Sequence, residues 1–278
     1  MTSDRRQQLT EKVEVLKTSH DREALEEAAK LLAASDDPAF LKALGDFLGR
    51  GEALARLDDL GDPSFKTYHL ARVLRELEQQ PSAATAELCL RLVHEPDFLA
   101  DDDRKIFLLP ALAAVKPMSE QTVEVFRRTN AEGYENLNVR LLVMNGSPLA
   151  LALFEGMIRD EESPAERRVD GLHAAVLPYR TELAVLRSVD RLLAGDLAEP
   201  VRIGAVETVF DYRSREWFGP AKSPPAPQPW ESAATEALRF VLGLGDRVTA
   251  RGGLPPTLAE AVARTVRLVR EILALRSA

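Results

Sequence analysis

Cysteine is almost missing from this chain: 278 residues contain one, Cys89, which excludes an intramolecular disulfide framework and any cysteine-rich zinc site. Its setting, Ala86-Glu87-Leu88-Cys89-Leu90-Arg91-Leu92, reads as an apolar helix in which a small buried thiol is expected. Aromatic residues are scarce at 6%, so the 45% hydrophobic content rests on Leu, Ala and Val, which fill helix-on-helix seams better than a β-sandwich core. Lysine is thin, 8 against 28 arginines, a usage expected of a GC-rich bacterial source. Positive charge is short overall: the formal net charge of −8 repels phosphate backbones and anionic lipid, so no nucleic-acid partner is expected. The longest apolar run, Ile106 to Val115, spans ten residues with Pro110 inside it. A membrane-spanning helix needs roughly 20, so no membrane insertion is expected. The opening Met1-Thr-Ser-Asp-Arg-Arg-Gln-Gln is polar and lacks the apolar stretch of a secretory signal, which makes the cytoplasm the expected location.

Catalytic signatures are missing as well. Gly49-Arg50-Gly51 continues to Leu54 where a dinucleotide loop needs a third glycine, and neither a Walker-type Gly-Lys-Ser/Thr nor a Gly-x-Ser-x-Gly elbow occurs. The four histidines, at 20, 69, 94 and 173, are scattered and do not reach metal-ligand spacing. Asp101-Asp102-Asp103 stands where a helix opens and its negative charge complements the helix dipole. No catalytic residue, cofactor or metal is therefore expected.

What the chain does have is spacing of three and four, as in Leu25, Ala28 and Leu32 or Leu258, Val262, Val266, Val269 and Leu273, while strict alternation is nearly absent. Asp37-Pro38, Asp62-Pro63, Ser163-Pro164, Glu199-Pro200 and Pro255-Pro256 each place proline at a first helical turn, where its missing N–H is not needed. The pattern predicts about 14 to 16 helices joined by short turns. They repeat. Asn138-Val139-Arg140-Leu141-Leu142, Arg167-Arg168-Val169-Asp170-Gly171-Leu172 and Pro200-Val201-Arg202-Ile203-Gly204-Ala205 overlay, and a weaker copy begins at Asp101-Asp102-Asp103-Arg104. The anchor arginines 104, 140, 168 and 202 are separated by 36, 28 and 34 residues, a helical-repeat period.

The acidic turn before each arginine, Asp160 before Arg168 and Asp196 before Arg202, followed by proline, a Val-Arg step and an Ala-rich second helix, resembles the HEAT-repeat family. The resemblance is best over residues 100–212. It implies an all-α fold, a right-handed α-solenoid of stacked antiparallel helix pairs, with the Asp160, Asp196, Arg168 and Arg202 side chains forming a hydrogen-bonded ladder between repeats. One solenoid is then expected over 1–278: capping helices at 1–62, repeats at 63–212, a Pro-rich loop at 213–230 and capping helices at 231–278. Stacking covers apolar faces that one helix pair cannot bury alone. Three enzymatic relatives of that architecture weigh differently. Di-iron deoxyhypusine hydroxylase carries repeated His-Glu pairs, and this chain has one, His94-Glu95. The alkylpurine DNA glycosylases use a basic groove, a poor match to an acidic body. Bilin lyases, which handle a small molecule, stand as the alternative.

The pattern breaks at 213–230, where prolines at 220, 224, 225, 227 and 229 forbid a helix and Trp217 and Trp230 flank the break. Two roles fit it: a partner-binding flap, or a strap pinned by the tryptophans. Charge changes here too, from a net of −12 over 1–212 to +4 over 213–278, with Arg264, Arg267 and Arg270 along one face of the last helix. Overlaying Arg168 on Arg202 makes Asp170 equivalent to Gly204, His173 to Glu207 and Leu177 to Asp211. In the family the second helices line the concave side, so Asp170, His173, Glu207 and Asp211 are candidate contact positions for another protein. Tyr212, Arg213, Arg215 and Trp217 continue that surface, and Trp, Tyr and Arg are the side chains that dominate hot spots. The expected function is a non-enzymatic scaffold or adaptor for protein–protein interaction.

Overall fold

The computed structural model describes residues 2–57, 68–99, 102–131, 133, 135–210 and 229–277. Among them every regular element is a helix and none is a strand. No helix among the described residues is long and apolar enough to cross a membrane. The chain divides into two compact units, Met1–Glu132 and Gly133–Ala278, a boundary inside the stretch of expected repeats.

The first unit holds α1 (Ser3–Thr18), α2 (Arg22–Ala33), α3 (Pro38–Leu48), α4 (Gly51–Leu57), α5 (Tyr68–Gln79), α6 (Ala83–Leu92), α7 (Pro96–Leu99), α8 (Asp102–Ala114) and α9 (Glu120–Ala131). Side-chain caps start several of them by accepting an otherwise orphaned N–H. Asp37 Oδ1 accepts from the Ala39 amide at 2.9 Å with Pro38 as first helical residue, Asp21 Oδ1 from Glu23 at 3.1 Å, and Ser82 Oγ from Thr85 at 3.0 Å. The expected start at Asp62-Pro63 lies outside the described residues. The three-and-four spacing becomes buried stripes: Leu25, Ala28 and Leu32 of α2 are fully buried, each leucine contributing about 1.5–3 kcal/mol by leaving water. Helices three apart in chain order are neighbours. α2 packs on α5 and α5 on α8, while α3 packs on α6 and α6 on α9.

The second unit holds α10 (Glu135–Asn145), α11 (Pro148–Arg159), α12 (Ala165–Val176), a 3-10 turn (Leu177–Tyr179), α13 (Leu183–Ala194), α14 (Glu199–Phe210), α15 (Pro229–Ser232), α16 (Thr235–Arg251) and α17 (Pro256–Ser277). α12 packs on both α10 and α14, α13 on both α11 and α16, and α17 on α14 and α16. Of the expected α17 stripe, Leu258, Val262, Val266 and Val269 are buried and Leu273 is half-buried. Arg267 and Arg270 of its arginine face are exposed and Arg264 is half-buried, with Arg270 3.8 Å from Asp246. Trp230 is buried, and α15, which carries it, is tied down by Arg276 of α17, whose guanidinium donates to the Ala233 and Glu231 carbonyls at 2.7 and 2.6 Å.

That last contact is one instance of a recurring device. The final carbonyls of a helix have no intrahelical donor and carry the negative end of its dipole, so a cation that donates to them satisfies both deficits. Arg56 donates to Leu16 and Ser19 at the end of α1, Arg104 to Phe98 of α7, Arg168 to Ile158 of α11, and Arg159 to Arg191 of α13. Arg251 donates to Leu193 of α13, and Arg202 to Gly252 and Gly253 just past α16. The guanidinium fork, with five donors and a permanent charge, suits this task better than ammonium, which gives the excess of arginine over lysine a structural use.

The anchor arginines resolve accordingly. Arg104 and Arg168 are buried and hold the same kind of partner, a carbonyl in the preceding helix, whereas Arg202 is half-buried and reaches forward to the turn after α16. Arg140 is different: α10 begins at Glu135, which puts Arg140 in mid-helix rather than on the opening turn, and it is exposed. The acid–arginine ladder is not what these residues form. Arg168 and Arg202 serve backbone carbonyls, Asp160 accepts from the Glu162 amide at 3.1 Å in its own turn, and Asp196 is exposed.

Candidate functional site

The expected contact positions fall on α12 and α14. The two helices approach closely where Gly204 stands, since a Cβ built there would lie 3.1 and 3.2 Å from the Val169 methyl carbons. Gly171 plays the same part between α12 and α10, where a Cβ would lie 3.4 Å from Val139. The close seam brings His173 and Glu207 together, with His173 Nε2 3.4 Å from Glu207 Oε2 and side chains 28% and 29% exposed. That is an ion-pair distance, longer than the 2.7–3.2 Å of a strong N–H···O bond. Asp170, half-buried, lies one turn before His173 on the same helix face. Two positions predicted as equivalent by overlay are therefore adjacent in space. Asp211, Tyr212, Arg213, Arg215 and Trp217 lie outside the described residues.

Two charged clusters escape sequence reasoning. In the first unit Glu26 of α2 is only 6% exposed and lies 2.6 Å from His69 Nδ1 and 3.0 Å from Arg72 Nη1 of α5. This trio edges a cleft of about 620 Å3, shared with Glu23, Glu27, Lys30 and Glu76. The sequence offers one hint, a glutamate on the apolar stripe next to Leu25, but its partners are 43 and 46 residues away and no spacing rule connects them. In the second unit Glu155 of α11, also 6% exposed, accepts from Ser188 Oγ at 2.7 Å and from Arg191 Nε and Nη2 of α13 at 3.0 and 2.6 Å. With Arg159 at 3.5 Å, this carboxylate is fully compensated and acts as a staple between α11 and α13.

Cys89 is fully buried, and loss of hydration pushes its thiol up to about 12, so it does not supply a thiolate. His94 is exposed just after α6. Among the described residues no three His, Cys, Asp or Glu side chains gather in a way that would hold a metal ion. Compared with protein-family models, with curated proteins and with solved structures, the chain matches none.

Proposed function

We propose that this chain is a non-enzymatic interaction module, a HEAT-like α-solenoid that presents the α12 and α14 surface of its second unit to another protein. The observation that carries the reading is the meeting of His173 and Glu207, equivalent positions of successive repeats, half-exposed and side by side at 3.4 Å. A surface built by repetition places chemically related positions in a row, and a row of half-exposed polar side chains over a rigid helix seam is what a partner can read. The recurring neighbour pattern, every third helix in the first unit and every second from α10 to α14 in the second, supports the solenoid part of the reading. The expected occupant carries basic groups opposite Asp170 and Glu207.

The test is recovery of a partner, identified by mass spectrometry, on the immobilised chain from its native cell. Asp170→Arg combined with Glu207→Arg is expected to lower recovery of that partner at least about tenfold, since reversing two charges opposes like charges across the interface. Arg187→Ala on α13 serves as the control and is expected to leave recovery unchanged. If the double reversal recovers the same partner as the parent, with the melting temperature preserved, the contact surface is elsewhere.

A further inference from the structure

Against a net charge of −8, one cavity of the second unit is positive. Arg202 of α14 and Arg247 and Arg251 of α16 line a space of about 210 Å3 that contains one acidic side chain, Asp190 of α13. Its apolar lining includes Val206, Leu244 and Val248, all buried. The arginines are held in place by the fold. Arg251 donates through Nη1 to the Leu193 carbonyl, Arg202 through Nη2 to the Gly253 carbonyl at 2.8 Å, and Arg247 through Nε to Asp190 Oδ1 at 3.1 Å, with its Nη2 in ion-pair contact with the same oxygen at 3.0 Å. Carbonyls orient a guanidinium without neutralising it, so three arginines against one aspartate leave two formal positive charges beside an apolar floor. Each guanidinium has five N–H donors in a fixed fork, more than these partners use.

The geometry points to a binding site for a small carboxylate with a short aliphatic body. Arginine forks match carboxylate oxygens two at a time, and the apolar lining rewards a hydrocarbon tail. Size limits the ligand: drug-sized molecules occupy roughly 300–1,000 Å3, and this space takes a smaller one, of about eight non-hydrogen atoms. An inorganic anion would leave the apolar floor bare, and a neutral isostere would leave the arginines without a charged partner.

Calorimetric titration of the full chain with hexanoate, hexanamide and inorganic phosphate tests the assignment. Hexanoate is expected to saturate one site with a Kd on the order of 1 mM, the range such a small ligand reaches. Hexanamide is expected to bind about tenfold more weakly, because charge-assisted bonds are replaced by neutral ones, and phosphate to bind more weakly than hexanoate. Arg251→Gln is expected to weaken hexanoate by about tenfold. Ala194→Phe, at an exposed position on the cavity rim, is expected to abolish binding without lowering the melting temperature, and it decides the matter should Arg251→Gln fail to fold. No saturable hexanoate binding at 10-fold the expected Kd, equal binding of hexanamide, phosphate binding as tight as hexanoate, or binding that survives Ala194→Phe would each overturn the assignment.

Discussion

Three helical glycines of the second unit let one substitution be read against three packing environments. Replacing glycine by alanine in a helix gains about 1 kcal/mol in propensity, provided the new methyl group meets open space. At exposed Gly156 of α11 nothing lies within 4 Å of the position a Cβ would take, so Gly156→Ala should realise the whole gain of about 1 kcal/mol. At Gly245 of α16 the same methyl would fall 2.5 Å from Val266 Cγ2 and 3.6 Å from Phe210 Cε1. Carbon atoms in contact prefer roughly 3.5–4.0 Å, and Val266, β-branched and buried in α17, has few rotamers to retreat into. Overpacking of this kind costs about 1–3 kcal/mol, so Gly245→Ala should be destabilising by up to about 2 kcal/mol after the propensity gain is subtracted. Gly204 is intermediate, with Val169 at 3.1 to 3.5 Å, and the two effects should nearly cancel. Urea denaturation followed by far-UV circular dichroism should therefore order the variants as Gly156→Ala, Gly204→Ala, Gly245→Ala from most to least stable, over a spread of about 1–3 kcal/mol. Each kcal/mol corresponds to about 2–4 °C in Tm at this chain length. If Gly245→Ala is as stabilising as Gly156→Ala, the close approach of α16 and α17 is not what selects glycine there.

Two further predictions concern the arginine caps and the lone thiol. Arg168→Met strips the Ile158 carbonyl of its donor inside the second unit and should cost about 1–3 kcal/mol in the same denaturation assay, whereas Arg140→Met, at an exposed mid-helix site, should stay within about 0.5 kcal/mol of the parent. Cys89, with its thiol pushed up to about 12, should be silent to a disulfide reagent at pH 8 and titrate fully in denaturant; rapid labelling of the native chain would contradict its burial. The raised value has a sign for stability: above the ordinary thiol value of 9.0 the unfolded chain loses this proton while the folded chain keeps it, so stability falls as pH rises from 9 towards about 12. Cys89→Ala should remove that part of the slope, at about 1.4 kcal/mol per pH unit.

Most of the helices are legible in the sequence because their causes are local. The stripes on α2 and α17 follow from periodicity, and the starts at Pro38 and Pro256 follow from what proline and a capping aspartate do to the first turn. The overlay of Arg168 on Arg202 makes His173 and Glu207 equivalent positions, and the two side chains lie 3.4 Å apart. It failed at Arg140, whose Val-Arg step looks like a helix opening although the helix starts five residues earlier at Glu135. Acidic turns looked like partners for the arginines, yet side chains choose the nearest strong acceptor, and in a helical protein that is often the carbonyl end of the adjacent helix.

The amino-acid sequence by itself determined amphipathic helices, capped starts and an apolar helical setting for the thiol, because each depends on residues within one or two turns of one another, and among the described residues every regular element is a helix. Tertiary structure alone decided which polar groups meet: Glu26 with His69 and Arg72, Glu155 with Ser188 and Arg191, and the arginine cavity between α13, α14 and α16. Those partners are 33 to 57 residues apart, and their pairing depends on which helices pack side by side, which no local spacing in the chain specifies.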